Sequence, residues 1–274
     1  MGGPAAGDPK NGADRRATAL RIALPLAVLA AVIGGWDLWV RIDDIPPYVL
    51  PGPGLVAATL VRDWTLLSAS LAVTLTTTLE GLALAVLGGA GLAILFNQSR
   101  LIEYSLYPYA VVLQVTPIIA IAPLLVIYLP PPAAVLACAW IVAFFPMLAN
   151  TTLGLKSVDH NLVNLFRLYG ATRLQVLIHL KLPAALPNML AGLRIAGGLA
   201  LIGAVVAELA AGSAGAGSGL AFRIAESGYR LNIPRLFAAL LLLAVTGIVI
   251  FFALTLLSHL VLRRWHESAA RQEN

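Results

Sequence analysis

Side chains suited to catalysis are few in this chain and widely separated. One cysteine, Cys138, and the histidines His160, His179, His259 and His266 make up its thiol and imidazole groups. The nearest approach to a nucleophile is Ser218 in Ala216-Gly217-Ser218-Gly219, with His259 as its base. Intramembrane serine proteolysis wants Gly-x-Ser-Gly, the first glycine is missing here, and the hydropathy pattern puts His259 near the opposite membrane face. No carboxylate pair and no His/Cys/Asp cluster has metal-ligand spacing. No Gly-x4-Gly-Lys-Ser/Thr phosphate loop occurs. The chain is therefore expected not to be an enzyme and to bind no cofactor of its own. Cys138 lies in an apolar run without a partner and reads as a small packing residue. The other three histidines fall in polar segments and read as solvated.

Binding is a different matter, because several polar side chains sit inside apolar runs, where each is costly in lipid and normally faces a bundle interior. Glu208 reads either as a group on a solute path or as a helix-end carboxylate capping the loop that follows. Glu80 lies deeper and reads as a partner of Arg194, as a path residue, or as a carboxyl neutralised against backbone. Gln114 and Thr116 beside Pro117, and Asn150 after Pro146, stand where an irregular helix frees carbonyls and presents side chains to a solute. Thr74, Thr76, Thr77 and Thr78 read as interhelical hydrogen-bonding groups. The glycines of 88–91 and 197–198 read as close helix contacts.

The elements that carry these residues are membrane spans. Of the 274 residues 59% are hydrophobic and 11% charged, and the mean hydropathy of +0.88 excludes a water-soluble domain. Continuous apolar runs such as 236–262 argue for helices and against a β-barrel, whose segments alternate. The fold class is an all-α polytopic membrane protein of about six transmembrane helices: 19–40, 71–96, 108–129 bent by Pro117 and Pro123, 133–155, 187–207, and a last one ending at Leu262. Residues 1–18 read as a disordered cytoplasmic tail, 19–265 as the membrane domain and 266–274 as a second cytoplasmic tail. Residues 55–67 read as an interfacial helix and 211–234 as a Gly/Ser-rich outer segment.

Basic residues set the orientation. Lys10, Arg15, Arg16, Arg21, Arg100, Lys156, Arg167, Arg173, Lys181, Arg263, Arg264 and Arg271 share one side, while Arg41, Arg62, Arg223, Arg230 and Arg235 share the other. Twelve against five places both termini in the cytoplasm. Membrane orientation accounts for the basic residues behind the net charge of +5. With no dense basic patch interleaved with aromatics, nucleic acid is not a partner.

The longest cytoplasmic segment, 156–183, carries its own pattern. Asp159 is placed to cap a helix; Leu162, Leu165, Phe166 and Tyr169 then collect on one face, and Gly170 can end the helix in a left-handed turn. Such a helix either rests on headgroups or docks a soluble partner.

Gly170, nine residues and Leu180-Lys181-Leu182-Pro183 together resemble the EAA motif of ABC-importer permeases. The glycine and the Leu-Pro ending match, while Asn164, Leu165 and Phe166 stand where Glu-Ala-Ala would be. Further stretches resemble the nitrate, sulfonate and taurine branch: Leu50-Pro51-Gly52-Pro53, Ala122-Pro123-Leu124-Leu125, 154–159, Gly192-Leu193-Arg194-Ile195 and Val206-Ala207-Glu208. Two departures stand out. Tyr128-Leu129-Pro130-Pro131-Pro132 replaces a shorter polar turn, and Glu80 stands where an arginine is common.

The resemblance implies a type I (MetI-like) permease fold in a bacterial inner membrane, two copies of which form a path, with two ATPase subunits carrying ATP and magnesium. It implies a periplasmic binding protein delivering a sulfonate, nitrate or similar anion, or a pyrimidine- or riboflavin-like vitamin precursor. It further implies that Asp159, Asn164, Leu165, Phe166, Arg167, Tyr169, Gly170, Ala171, Arg173, Leu182 and Pro183 couple the permease to the ATPase. An ion-coupled secondary transporter or channel is the alternative, for which an inverted repeat or a chain of intramembrane carboxylates would be the sign. Neither is found.

Overall fold

A computed structural model describes residues 9–212 and 217–263. Among them the elements are α1 Pro9–Ile42, α2 Pro53–Arg62, α3 Trp64–Gln98, α4 Arg100–Val115, α5 Ile118–Tyr128, α6 Pro131–Lys156, α7 His160–Leu168, α8 Arg173–Val176, a π turn Leu177–Lys181, α9 Leu182–Ala211, α10 Leu220–Tyr229 and α11 Ile233–Leu262. Five helices are long and apolar enough to cross a membrane, and α4 with α5 makes a sixth when counted as one broken span.

The bundle is organised around α6, which packs along its length against α3 and α9. Small residues make this possible. A Cβ on Gly81 would lie 2.7 Å from that of Ala139, one on Gly89 2.8 Å from Met147 Cβ, one on Gly192 2.8 Å from Asn150 Cβ, and one on Gly203 2.7 Å from the Cys138 carbonyl oxygen. Only glycine lets these backbones approach so closely, and in lipid that approach supplies dispersion contact where no hydrophobic effect acts between helices. Cys138 is fully buried in this seam, as its packing role requires. Of the glycines expected to pack closely, Gly88, Gly89 and Gly197 do so, whereas Gly91 and Gly198 face open space. By contrast, the spanning window of α1 is unburied, leaving that helix beside the bundle.

Several boundaries differ from the sequence expectation. The third span is not a single bent helix over 108–129: α4 and α5 meet at 99°. At the end of α4 the Thr116 backbone N–H (3.1 Å) and hydroxyl (2.6 Å) both donate to the Val112 carbonyl. This closes α4, and Pro117 holds Thr116 extended at φ −74°, ψ 122°. Pro123 and Pro146, which have no such closure before them, stay inside helices. The fifth span starts earlier than Pro187, because α8, the π turn and α9 run on as one helix from Arg173 to Ala211. The π turn loosens the ladder just before Pro183, where a proline ring would otherwise crowd the preceding turn.

The interfacial helix is α2, ending at Arg62 rather than Leu67, with Asp63 turning the chain into α3. The outer segment 211–234 contains α10. Of the expected disordered tail, residues 1–8 lie outside the described residues, while the backbone from Pro9 is already helical. Ala, Lys and Arg are good helix formers and extend a helix that the apolar span has nucleated. The C-terminal tail 266–274 lies outside the described residues.

Candidate functional site

Helix α7 is built by its ends. The Asp159 side chain accepts a hydrogen bond from the Asn161 N–H at 2.8 Å and caps the first turn. At the other end the Ala171 N–H donates to the Phe166 carbonyl (3.0 Å) and the Gly170 N–H to that of Arg167 (2.9 Å). These two bonds form a Schellman closure, which puts Gly170 at φ +73°. Two residues on, Thr172 and Gln175 form a capping box that starts α8. The turn between α7 and α8 is therefore hydrogen-bonded on both sides, and α8 continues into the long α9.

The helix presents two chemically distinct faces. On one lie Leu162, Leu165, Phe166 and Tyr169; Leu165 is 46% and Tyr169 84% exposed, although both are large apolar groups. Leu165, Phe166, Tyr169, Gly170 and Ala171 border an open hollow of about 530 Å³ shared with Gln175 and His179. On the other face Val163 is buried and Arg167 looks toward the junction of α3 and α4. There a cavity of about 770 Å³ is lined by Arg100, Arg167, Arg173 and Lys181, with Asn97 and Ser99 among its polar groups. Asn164 is exposed, and Leu182 and Pro183 are half-buried at the head of α9. The docking-segment residues thus gather at one end of the bundle. Arg100 is the member of the basic cavity that the sequence could not join to Arg167, since it lies on α4, far from the 156–183 segment along the chain.

The intramembrane candidates do not gather. Gln114 is exposed and Thr116 half-buried at the α4–α5 break. Asn150 donates to the Pro146 carbonyl at 2.8 Å and lies under Gly192, in the α6–α9 contact. Glu80 is exposed on the side of α3 away from α6, and Arg194 is exposed on α9. Their pairing is not made. Gly81 sits level with Ala139 and Gly192 with Asn150, so along α6 the two charges are separated by about 15 Å of helix rise.

Glu208 is 5% exposed and fully engaged. It accepts from the Thr74 hydroxyl at 2.7 Å and from the Ala221 N–H at 3.0 Å, while Thr74 Oγ1 accepts from the Leu220 N–H at 2.8 Å. One carboxylate and one hydroxyl so cap the N-terminus of α10 and tie it to α3 and α9. Of the four threonines only Thr74 bridges helices; Thr77 and Thr78 donate to carbonyls of their own helix, and Thr76 is exposed. Gly219 completes the junction, since any Cβ there would overlap the Glu208 carboxylate. The sequence showed Thr74 and Glu208 separately, and only the packing shows that they meet.

Around this junction that end of the bundle is held by ion pairs: Arg235 with Asp63 (2.6 Å), Arg62 with Asp63 (3.1 Å), and Arg223 (2.8 Å) and Arg230 (3.0 Å) with Glu226. The Arg223 hydrogen bond holds the Glu226 carboxyl below its ordinary range against a smaller opposing effect of burial, helped by the charges of Arg223, Arg230 and Arg235. At Asp63 burial pushes upward, but hydrogen bonds and charge from Arg235 and Arg62 outweigh it and the carboxyl is lowered.

A multi-span helical bundle that offers a capped amphipathic helix at one end has the form of a membrane transport subunit. The chain belongs to the family of binding-protein-dependent transport system inner membrane components, whose model matches residues 81–266. It is 32% identical over 241 residues to a probable ABC transporter permease protein of Haemophilus influenzae, covering 88% of this chain and 97% of that one. It is 34% identical to the formylaminopyrimidine transport permease protein of Halalkalibacterium halodurans (83% and 90% covered). A putative aliphatic sulfonates transport permease protein of Bacillus subtilis is 32% identical (81% and 80% covered). The chain is an ABC transporter permease, a multi-pass membrane protein that serves transport rather than catalysis.

Proposed function

We propose that two copies of this chain form the path of an ATP-driven importer in a bacterial inner membrane, with both termini cytoplasmic. Two ATPase subunits dock on α7, and a periplasmic binding protein delivers the solute at the opposite face. ATP and magnesium belong to the ATPase, because this sequence has no phosphate loop of its own. The observation that carries the reading is the apolar face of α7: Leu165 and Tyr169 stand exposed on a helix closed at both ends and joined through α8 to a span. A partner closing on that face moves α9 as a lever and exchanges one access state for the other. With Asn164, Leu165 and Phe166 in place of an acidic start, the contact rests on apolar packing into a groove, and Arg167 and Arg173 line the cavity on the opposite face.

For the path itself the candidates that remain are the exposed Glu80 and Gln114; Thr116, Asn150 and Glu208 are occupied by protein partners. The solute is small and polar, in the range spanned by the formylaminopyrimidine and sulfonate relatives. Affinity purification of the full chain tests the proposal: an ATPase subunit is expected to co-isolate and to be required for uptake into vesicles. Solute uptake by the permease alone, without nucleotide hydrolysis, would overturn it.

A further inference from the structure

The basic cavity behind α7 is not explained by docking an ATPase on the apolar face. Arg100, Arg167, Arg173 and Lys181 converge on one space of about 770 Å³, with no acidic residue in its lining. The ion pairs found among the described residues use none of the four. Lys181 is half-buried and donates to the Asn97 side chain at 3.0 Å, which fixes its ammonium at the cavity wall. The N-terminus of α4, at Ser99 and Arg100, opens into the same space and adds the positive end of a 16-residue helix. Like charges held together without a counter-charge raise the free energy of the empty site and favour an anion that can accept several N–H bonds.

Position identifies the source of that anion. Helix α3 has 35 residues, about 52 Å of rise, well beyond ~30 Å of hydrocarbon. Its end at Asn97 and Gln98 therefore reaches the headgroup layer. Tyr104 and Tyr109, 70% and 69% exposed on α4 just beyond the cavity, are the amphipathic side chains that settle at such a boundary. Basic pockets between spanning helices on the cytoplasmic side match the phosphates of acidic lipids.

We propose that the cavity bounded by Arg100, Arg167, Arg173 and Lys181 binds the phosphate of an acidic phospholipid headgroup from the inner leaflet. The lipid then bridges the α3–α4 junction to the docking segment, fixing α7 against the bundle from behind while its apolar face stays open to the ATPase. The assignment of leaflet rests on the orientation proposed above; the binding itself does not.

The test is native mass spectrometry of the purified full-length chain in detergent, alone and with its ATPase, after exchange with phosphatidylglycerol or phosphatidylcholine. Wild-type protein is expected to retain phosphatidylglycerol preferentially. Arg100→Gln with Lys181→Gln, which leaves the α7 face untouched, is expected to lower that preference roughly tenfold. Arg263→Gln, the removal of an exposed cation at the end of α11, is expected to leave it unchanged. Equal loss in the Arg263 variant would show a diffuse surface effect and overturn the site. Displacement of the lipid by millimolar inorganic phosphate would assign the cavity to a soluble anion instead. Loss of the bound lipid when the ATPase docks would assign it to the protein interface. Because the measurement needs neither orientation nor transport, its failure would leave the importer reading intact, and the failure of that reading would leave the site.

Discussion

The two ends of this bundle treat charge in opposite ways. At the end proposed to be outer, Arg41, Arg62, Arg223, Arg230 and Arg235 each have a carboxylate within 3.1 Å, and the buried carboxylate of Glu208 is satisfied by Thr74 and a helix N-terminus. At the end proposed to be inner, Lys156 pairs with Glu103, while Arg100, Arg167, Arg173 and Lys181 have no ion-pair partner among the described residues and the large apolar groups of α7 are exposed. An end that satisfies its own charges and polar groups is a structural clamp. An end that leaves cations and apolar surface unmatched is built to be completed by other molecules. The two ends differ in unneutralised charge, a contrast that a count of basic residues does not register.

The contrast can be broken most severely at the outer junction. Gly219→Val is expected to force the Glu208 carboxylate from its site, and Glu208→Ala to orphan the Thr74 hydroxyl and the Ala221 N–H. Each should cost about 2–4 kcal/mol and be seen as a fall in thermal unfolding temperature and in membrane yield. The same loss after a substitution on the exposed face of α7 would erase the distinction between clamp and docking end.

Next in size is Gly170→Asp at the inner end. Asp tolerates the left-handed region better than most residues, so the closure at φ +73° should survive at a cost of about 1 kcal/mol. Transport is expected to fall at least tenfold while the unfolding temperature barely moves. Full uptake by a correctly inserted mutant would remove the coupling role from the α7–α8 turn.

Acid should separate the two ends more gently. Glu226 and Asp63 are depressed in the folded protein, so their contribution is complete above the ordinary carboxylate range and is lost as pH falls through their lowered folded values. An unfolding-temperature profile against pH should therefore slope downward on the acid side, and Glu226→Gln should flatten part of that slope. A profile identical in the mutant would show that Glu226 does not matter to the clamp. The smallest change expected is from Arg230→Ala, whose side chain is 70% exposed; such a pair contributes about 0.5 kcal/mol or less. A larger drop would mean that the outer ion pairs act as one network.

Much of this was readable along the chain, but unevenly. The docking helix was legible because its parts are local: Asp159, the 162–169 apolar spacing and Gly170 fall within twelve residues, and each acts through a bond to a near neighbour. The third span was misread because prolines look alike in sequence. Pro117 breaks the helix, with Thr116 extended ahead of it, and Pro123 and Pro146 do not, a difference that residue type alone does not carry. Glu208 was noticed, yet its purpose depends on Thr74 and Ala221, the first of them 134 residues away. The Glu80–Arg194 pairing was plausible on charge and fails on depth.

The sequence by itself determined the membrane class, most of the spans and the amphipathic helix α7. All of these follow from hydropathy, helical period and capping, which act over short distances. Only the tertiary structure decided which glycines let α3 and α9 close on α6, that Thr74 and Glu208 hold α10, and that the distant Arg100 shares one cavity with Arg167, Arg173 and Lys181. These depend on how helices stack side by side, and no local pattern encodes which residues far apart in the chain arrive at the same depth.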